Sequence, residues 1–492
     1  MHGIQHSRNA GWTLLVGAIL LCGPVVASAT TSPVRIRLDA TPRPGEIIPG
    51  IRADHAVMPA SLSAALAAAH RRVPSFSRQT GLACSACHYQ FLQLTPFGRL
   101  FKLNGYTLTG LQTIGQPGDS AGRESLKLSP IPPVAAMVVV STTRTAKAQP
   151  GTQNNTAQFP QQFSVFVAGA LTPKVGAFTQ LTYAAADGSI GIDNVDIRYA
   201  THMTFADRDV LFGLTLHNNP TVQDVWNTVP AWSFPFMSSQ VAPSPLASTL
   251  IDGALAQRVV GFGAYSLFNS ALYTELTAYR SAPQGGATPL DSAATNTTRS
   301  IIPYWRAALQ HVGESTYLML GTYGLSARLY PTGIAGPTNS YVDVAADAQV
   351  EQKMGDNMII GRATFIHEQQ TLDATFAQSE SQNLKNTLST ARASVGFIPS
   401  LRWGANLGYF QTSGSSDTLL FAPKELSGSR TGSPNTSGLI GELTFNAWQN
   451  TRLGVQYVAY AKFNGASTAY DVSAGRRAAD NNTLYLFTWM AF

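Results

Sequence analysis

The chain has 492 residues and a formal net charge of +6, long enough for several globular domains or for one large barrel with a small domain attached. Charged residues make up only 12% of it, about half the usual share, yet no run of about 18 apolar residues follows the N-terminus, which excludes helical membrane spans. No basic cluster with interleaved aromatics occurs, so the composition gives no case for nucleic acid as a partner.

The first 29 residues read as an export signal. His6 and Arg8 form a sparse basic region, Leu14 to Leu21 is the apolar stretch, and Ala27-Ser28-Ala29 is a cleavage site that leaves Thr30 as the mature start. Cys22 lies inside this peptide. The residue before it is Leu21, which is not small, and this argues against lipidation. Cleavage after Ala29 leaves Cys84 and Cys87. Residues 30–133 divide into a leader broken by Pro42, Pro44 and Pro49, a short helix expected over 61–72, a segment rich in chemistry over 73–110, and a Gly/Pro/Ser-rich linker over 112–133.

From Val134 the pattern changes to period two, the signature of half-buried strands. Sixteen strands are expected, near 134–147, 158–171, 175–187, 191–203, 207–218, 255–268, 271–281, 299–312, 315–329, 339–353, 357–370, 386–398, 400–412, 436–448, 450–463 and 481–492. Near-neutral mean hydropathy with few charges is what alternating barrel walls produce, and bacterial single-chain barrels have even strand counts. Short connections (172–174, 269–270, 313–314, 355–356 and the corner at Gln449) alternate with long ones (219–254, 282–298, 371–385, 413–435, 464–480). The connection at 188–190 is short where a long one is due. Tight periplasmic turns and longer outer loops have this asymmetry. It puts everything before the first strand on the periplasmic side. In the last strand, Leu484, Leu486, Thr488, Met490 and Phe492 share one face, and Tyr485, Phe487 and Trp489 alternate with them. A terminal Phe in this pattern resembles the signal read by outer-membrane assembly machinery. The fold class expected is all-β: a 16-stranded outer-membrane β-barrel, residues 134–492, behind a small N-terminal segment.

That segment contains Cys84-Ser85-Ala86-Cys87-His88, the C-x-x-C-H spacing that attaches a c-type haem. Each thiol can add to a vinyl group of the porphyrin, and the next residue turns an imidazole onto the iron. A zinc site would need a second ligand pair, and no further cysteine supplies one. The two thiols could also form a periplasmic disulfide, but the adjacent His88 favours one covalent haem c held by Cys84, Cys87 and His88. The opposite iron ligand has several candidates: His55, Met58, His70, Met137, His202 and Met203. A Met there raises the potential relative to His, and the sequence does not choose. Phe91, Phe97, Phe101 and Tyr106 could wall the haem. Arg78, Arg99 and Lys102 could pair with its propionates.

Three pieces, Phe76-Ser77-Arg78-Gln79-Thr80-Gly81, the C-x-x-C-H motif, and Pro96-Phe97-Gly98-Arg99 with Phe101-Lys102, resemble the fused monohaem cytochrome c–porins of the bacterial outer membrane. That family includes iron oxidases of the iron:rusticyanin reductase type. The likeness covers roughly 35 residues and otherwise extends only to architecture. It implies an oxidoreductase: Fe(II) outside gives one electron, and a periplasmic carrier, rusticyanin or a cytochrome c, collects it. The alternatives are an outer-membrane conduit for another donor or acceptor, or a porin with a structural haem. Outer-loop carboxylates Asp224, Asp291, Asp373 and Glu380 have chemistry suited to iron, but solvated loop charge is much the simpler reading of them.

Overall fold

A computed structural model describes residues 74–108, 114–115, 127–128, 133–186, 188–230, 233–282, 295–400 and 402–492. All belong to one compact unit, Pro59–Phe492. The export signal, the 61–72 helix, most of the linker, and the candidates His55, Met58, His70 and Asp291 lie outside the described residues.

The period-two segments form the expected strands. They are β1 (Val134–Thr145), β2 (Ala157–Ala170), β3 (Val175–Ala184), β4 (Ser189–Phe205), β5 (Arg208–His217), β6 (Val259–Phe268), β7 (Leu272–Ser281) and β8, which starts at Thr295–Thr298 and resumes at Ile302–Val312. Then follow β9 (Thr316–Thr332), β10 (Asn339–Met354), β11 (Asn357–Thr371), β12 (Lys385–Ile398), β13 (Trp403–Gly414), β14 (Thr436–Trp448), β15 (Thr451–Lys462) and β16 (Thr483–Ala491). Each pairs antiparallel with its neighbours, and β16 closes on β1, from Thr483 opposite Thr145 to Ala491 opposite Met137. Phe492 exchanges backbone hydrogen bonds with Ala136 at the seam.

The strand pattern shows which face meets lipid. On β10, Asp343, Ala345, Asp347, Gln349 and Glu351 are buried, while Val342, Val344 and Val350 between them are exposed. On β9, Tyr317 and Met319 point inward and Leu318 and Leu320 outward. On β16, Tyr485, Phe487 and Trp489 are buried, and Leu484, Leu486 and Phe492 are exposed. An apolar exterior around a polar interior, with no open edge, is the arrangement a bilayer demands. A one-residue slip of β10 would put its carboxylates into lipid, so the pattern also sets the register. The protein is a 16-stranded outer-membrane barrel.

Short turns (206–207, 269–271, 313–315, 355–356, 449–450) gather at the end shared by both termini of the barrel, and most longer connections at the other. The link at 185–188 is short, as expected. One long connection departs from expectation. The described residues between 218 and 258 do not project outward: they fold into the lumen. The helix Pro220–Gln223 is buried, Trp226 Nε1 donates to Tyr317 Oη (2.6 Å), and Gln456 Nε2, on the other side, donates to the Met237 carbonyl (2.7 Å). The backbone amides of Leu250 and Ile251 bond to Glu368 and Asp343. This explains Asp224. It is no solvated loop carboxylate but is buried, accepting from Trp226 N and Thr228 N and facing Arg306 at 3.9 Å. Buried charge persists only when paired and hydrogen-bonded, and the inward walls provide those partners.

Candidate haem site

Residues 74–108 form a plug inside the short-turn end of the lumen. Helix α1 (Ser75–Thr80) stops at Gly81, whose φ of +70° is the left-handed cap conformation that glycine adopts freely. Its side chains hold it to β2: Ser75 Oγ donates to the Ala168 carbonyl (2.6 Å), and Gln79 Nε2 donates to the same oxygen (2.9 Å). Helix α2 is the single turn Cys84–Cys87, followed by His88 in extended conformation. Residues three apart in a helix share a face, so both thiols point the same way, and neither is in a disulfide. A hairpin, His88–Gln90 against Gln93–Leu94, leads to helix α3 (Pro96–Leu103).

Thr95 joins these pieces. Its hydroxyl accepts from Gly98 N (3.0 Å) as the N-cap of α3 and donates to the Ala86 carbonyl (2.7 Å), while its amide donates to the Cys87 carbonyl (2.9 Å). Pro96 follows at the first helical position, where a missing N–H costs nothing. Gly98 sits against the Cys87 carbonyl so closely that a methyl there would overlap it. The two halves of the sequence signature are thus one packed unit. Overpacking of this kind costs about 1–3 kcal/mol. Gly98→Ala is therefore expected to lower the yield of covalently attached haem per folded barrel, measured by in-gel haem staining. A full load on that variant would show that the contact is dispensable.

Beside this unit lies a largely apolar cavity, partly open to solvent. Cys84, Cys87 and His88 line it together with Phe76, Phe91, Phe97, Phe101 and Tyr106. The four aromatics expected to wall a haem are all there. His88 stacks on Phe91 (ring centroids 5.0 Å apart), and Phe91 in turn packs on Trp489 of β16. Burial pulls the His88 imidazole down to about 4 and pushes the Cys87 thiol up to about 11. The imidazole is therefore neutral near pH 7, with a lone pair to offer, and its Nδ1 has no hydrogen-bond partner. Two free thiols, a partly buried neutral imidazole and an apolar cavity fit a covalently attached haem. Cys84, Ser85 and His88 also border a second cavity at the rim, beside Trp448 and Gln449, where Gln449 Oε1 accepts from Cys84 N at 3.3 Å.

The expected propionate partners are committed elsewhere. Arg99 is buried and ion-paired with Glu351 of β10 (2.7 Å), and its guanidinium lies 4.1 Å from the Tyr317 ring centroid. Arg78 donates to the Val134 carbonyl. Lys102 lines the apolar cavity but donates to the Val222 carbonyl of the inward loop and faces Asp196 at 3.9 Å. Burial pulls it down to about 8, against the opposing effect of Asp196. Of the remaining iron-ligand candidates, His202 contacts Asn104 and Asp209, and Met203 is exposed on the barrel exterior. Met137 alone of the described candidates borders the cavity.

Glu351 and Asp196 have roles the sequence did not announce. Glu351 also accepts from Tyr89 Oη (2.8 Å), and Asp196 accepts from Tyr106 Oη (2.6 Å) and Arg198 Nε (2.8 Å). One signal was present: in a chain so poor in charge, carboxylates recur on the inward face of β10, which implies cations inside the lumen.

No family model and no curated protein sequence matches the chain. Solved structures that resemble it include OmpT of Vibrio cholerae, folded in vitro (10% identity, 73% of this chain and 96% of that one, TM-score 0.38). The outer membrane channel DcaP of Acinetobacter baumannii (11%, 73% and 96%, 0.41) and an anion-selective porin from Comamonas acidovorans (11%, 73% and 98%, 0.39) are also similar. The barrel assignment stands on the closed strand ladder itself.

Proposed function

We propose that this barrel is an oxidoreductase of the outer membrane that accepts one electron from each extracellular Fe(II) and delivers it to a periplasmic carrier, rusticyanin or a cytochrome c. The observation that carries the reading is the C-x-x-C-H turn bordering an apolar cavity inside the lumen. Cys84 and Cys87 would hold haem c and His88 would bind its iron. When bound, the haem supplies a one-electron ferric–ferrous couple. The chain's own residues set the conditions. Phe76, Phe97 and Phe101 give the cavity apolar walls, and an apolar surround raises the potential of a haem. Thr95 and Gly98 hold the thiols and the imidazole in one rigid unit, and the Arg99–Glu351 pair ties that unit to the wall. Iron as the donor rests on the resemblance of the 76–102 signature. The short-turn rim beside Cys84 suits a carrier arriving from the periplasm.

The barrel fold by itself equally suits a porin whose haem is structural, and the two readings differ in one measurement. Adding Fe(II) at the working pH to the oxidised, purified protein is expected to convert its visible spectrum to that of ferrous haem. An unchanged spectrum, with ion conductance through the same preparation, would replace the electron-transfer reading with the channel. Reduction by a different donor only would make it a conduit for that donor.

A further inference from the structure

We infer that Met137 Sδ is the second axial ligand of the haem, opposite His88; this rests on the haem reading above. Met137 lies on the inward face of β1 and is 3% exposed. Its cross-strand neighbours are Ala491 of β16 and Ser164 of β2. The barrel side of the cavity wall beside it includes Ala135, Ala136, Ala168 and Ala491 as well as Phe166 and Trp489. The Met137 thioether thus lines the same cavity as Cys84, Cys87 and His88 of the plug.

The other donors on that cavity are already engaged. Ser75 Oγ bonds to the Ala168 carbonyl, Ser77 Oγ lies 3.7 Å from Cys84 Sγ, and Thr80 Oγ donates to the Phe76 carbonyl. Lys102 Nζ donates to the Val222 carbonyl, and Tyr106 Oη to Asp196. Cys84 and Cys87 are consumed by attachment, and His88 takes the other face of the iron. Among the described lining residues the thioether of Met137 remains. It needs no hydrogen bond, and it is a soft donor of the kind that c-type haems use to hold a high potential.

Met137 also has a second side. Together with Leu92 and Trp489 it borders another luminal cavity, lined by Gln161, Gln162 and Asp193. These three side chains separate that polar space from the haem cavity. An electron donor reaching the polar space would face the ligand side of the iron.

Met237 provides the control. It belongs to the same buried cluster as Met137 and lines the polar cavity, but not the haem cavity. Replacing Met by Leu nearly conserves volume and is among the best tolerated core substitutions, so both barrels are expected to fold and to keep covalent haem staining. In the ferric protein, Met137→Leu is expected to lose the far-red charge-transfer band of a methionine-ligated haem. Met137→His is expected to give a six-coordinate low-spin spectrum with a lower midpoint potential. Met237→Leu is expected to leave both band and potential unchanged. Retention of the band and the potential in Met137→Leu would overturn the assignment, as would their loss in Met237→Leu alone. A wild-type chain with no covalent haem would instead overturn the haem reading beneath it.

Discussion

Cys84→Ala is expected to abolish normal covalent haem staining and, with it, reduction by Fe(II), while leaving the barrel folded. The side chain of Cys84 lies in the four-residue turn on the plug, away from the strand ladder, and its backbone amide keeps the bond to Gln449. Nothing in the closure of β16 on β1 depends on it. The effect is therefore close to all-or-none on the cofactor and small on the barrel. Haem staining of the denatured chain and the heat-dependent gel shift typical of folded barrels read the two separately. Unchanged staining would refute the attachment; loss of the folded barrel would show that the plug is needed to assemble the wall.

The second large effect concerns the join between plug and wall. Glu351→Ala removes the carboxylate that pairs with Arg99 at 2.7 Å and accepts from Tyr89 at 2.8 Å. Both charged side chains are almost wholly buried, 4% and 2% exposed. Removing one partner of such a pair strands the other and costs about 3–5 kcal/mol. That cost falls on the plug, because the ladder between β10 and its neighbours is made of backbone bonds that do not involve the side chain. The expected results are raised ion conductance in planar bilayers and new protease cleavage between residues 74 and 108. Glu351→Gln keeps an acceptor for Tyr89 and should fall between the two. If Glu351→Ala conducts and resists protease like the wild type, the pair does not retain the plug.

The strands were legible because their signal is local. Each inward residue of β10 is two positions from the next, and a membrane wall forces that alternation on every strand, so sixteen strands could be placed by period alone. The C-x-x-C-H turn was legible for a similar reason: its chemistry needs two thiols and an imidazole within five consecutive residues. The resemblance added Phe97, Gly98 and Arg99 as a signature without explaining it. The structure gives each a separate duty: Phe97 lines the cavity, Gly98 lets α3 approach the Cys87 carbonyl, and Arg99 binds the wall.

What the sequence alone determined was the barrel, the gathering of its short turns at one end, and the three residues suited to hold a haem. The tertiary structure decided which residues surround them. Arg99 read as a propionate partner because Glu351 is some 250 positions away, and no local pattern links the two. Asp224 read as an outer-loop charge because a loop's direction, outward or into the lumen, is set by partners such as Arg306 and Asp347 on distant strands. Met137 stood among six equal candidates until barrel closure brought β1, β16 and the plug around one cavity. Alternation is written in adjacent residues, whereas ion pairs and cavities exist only once strands far apart in sequence have closed on one another.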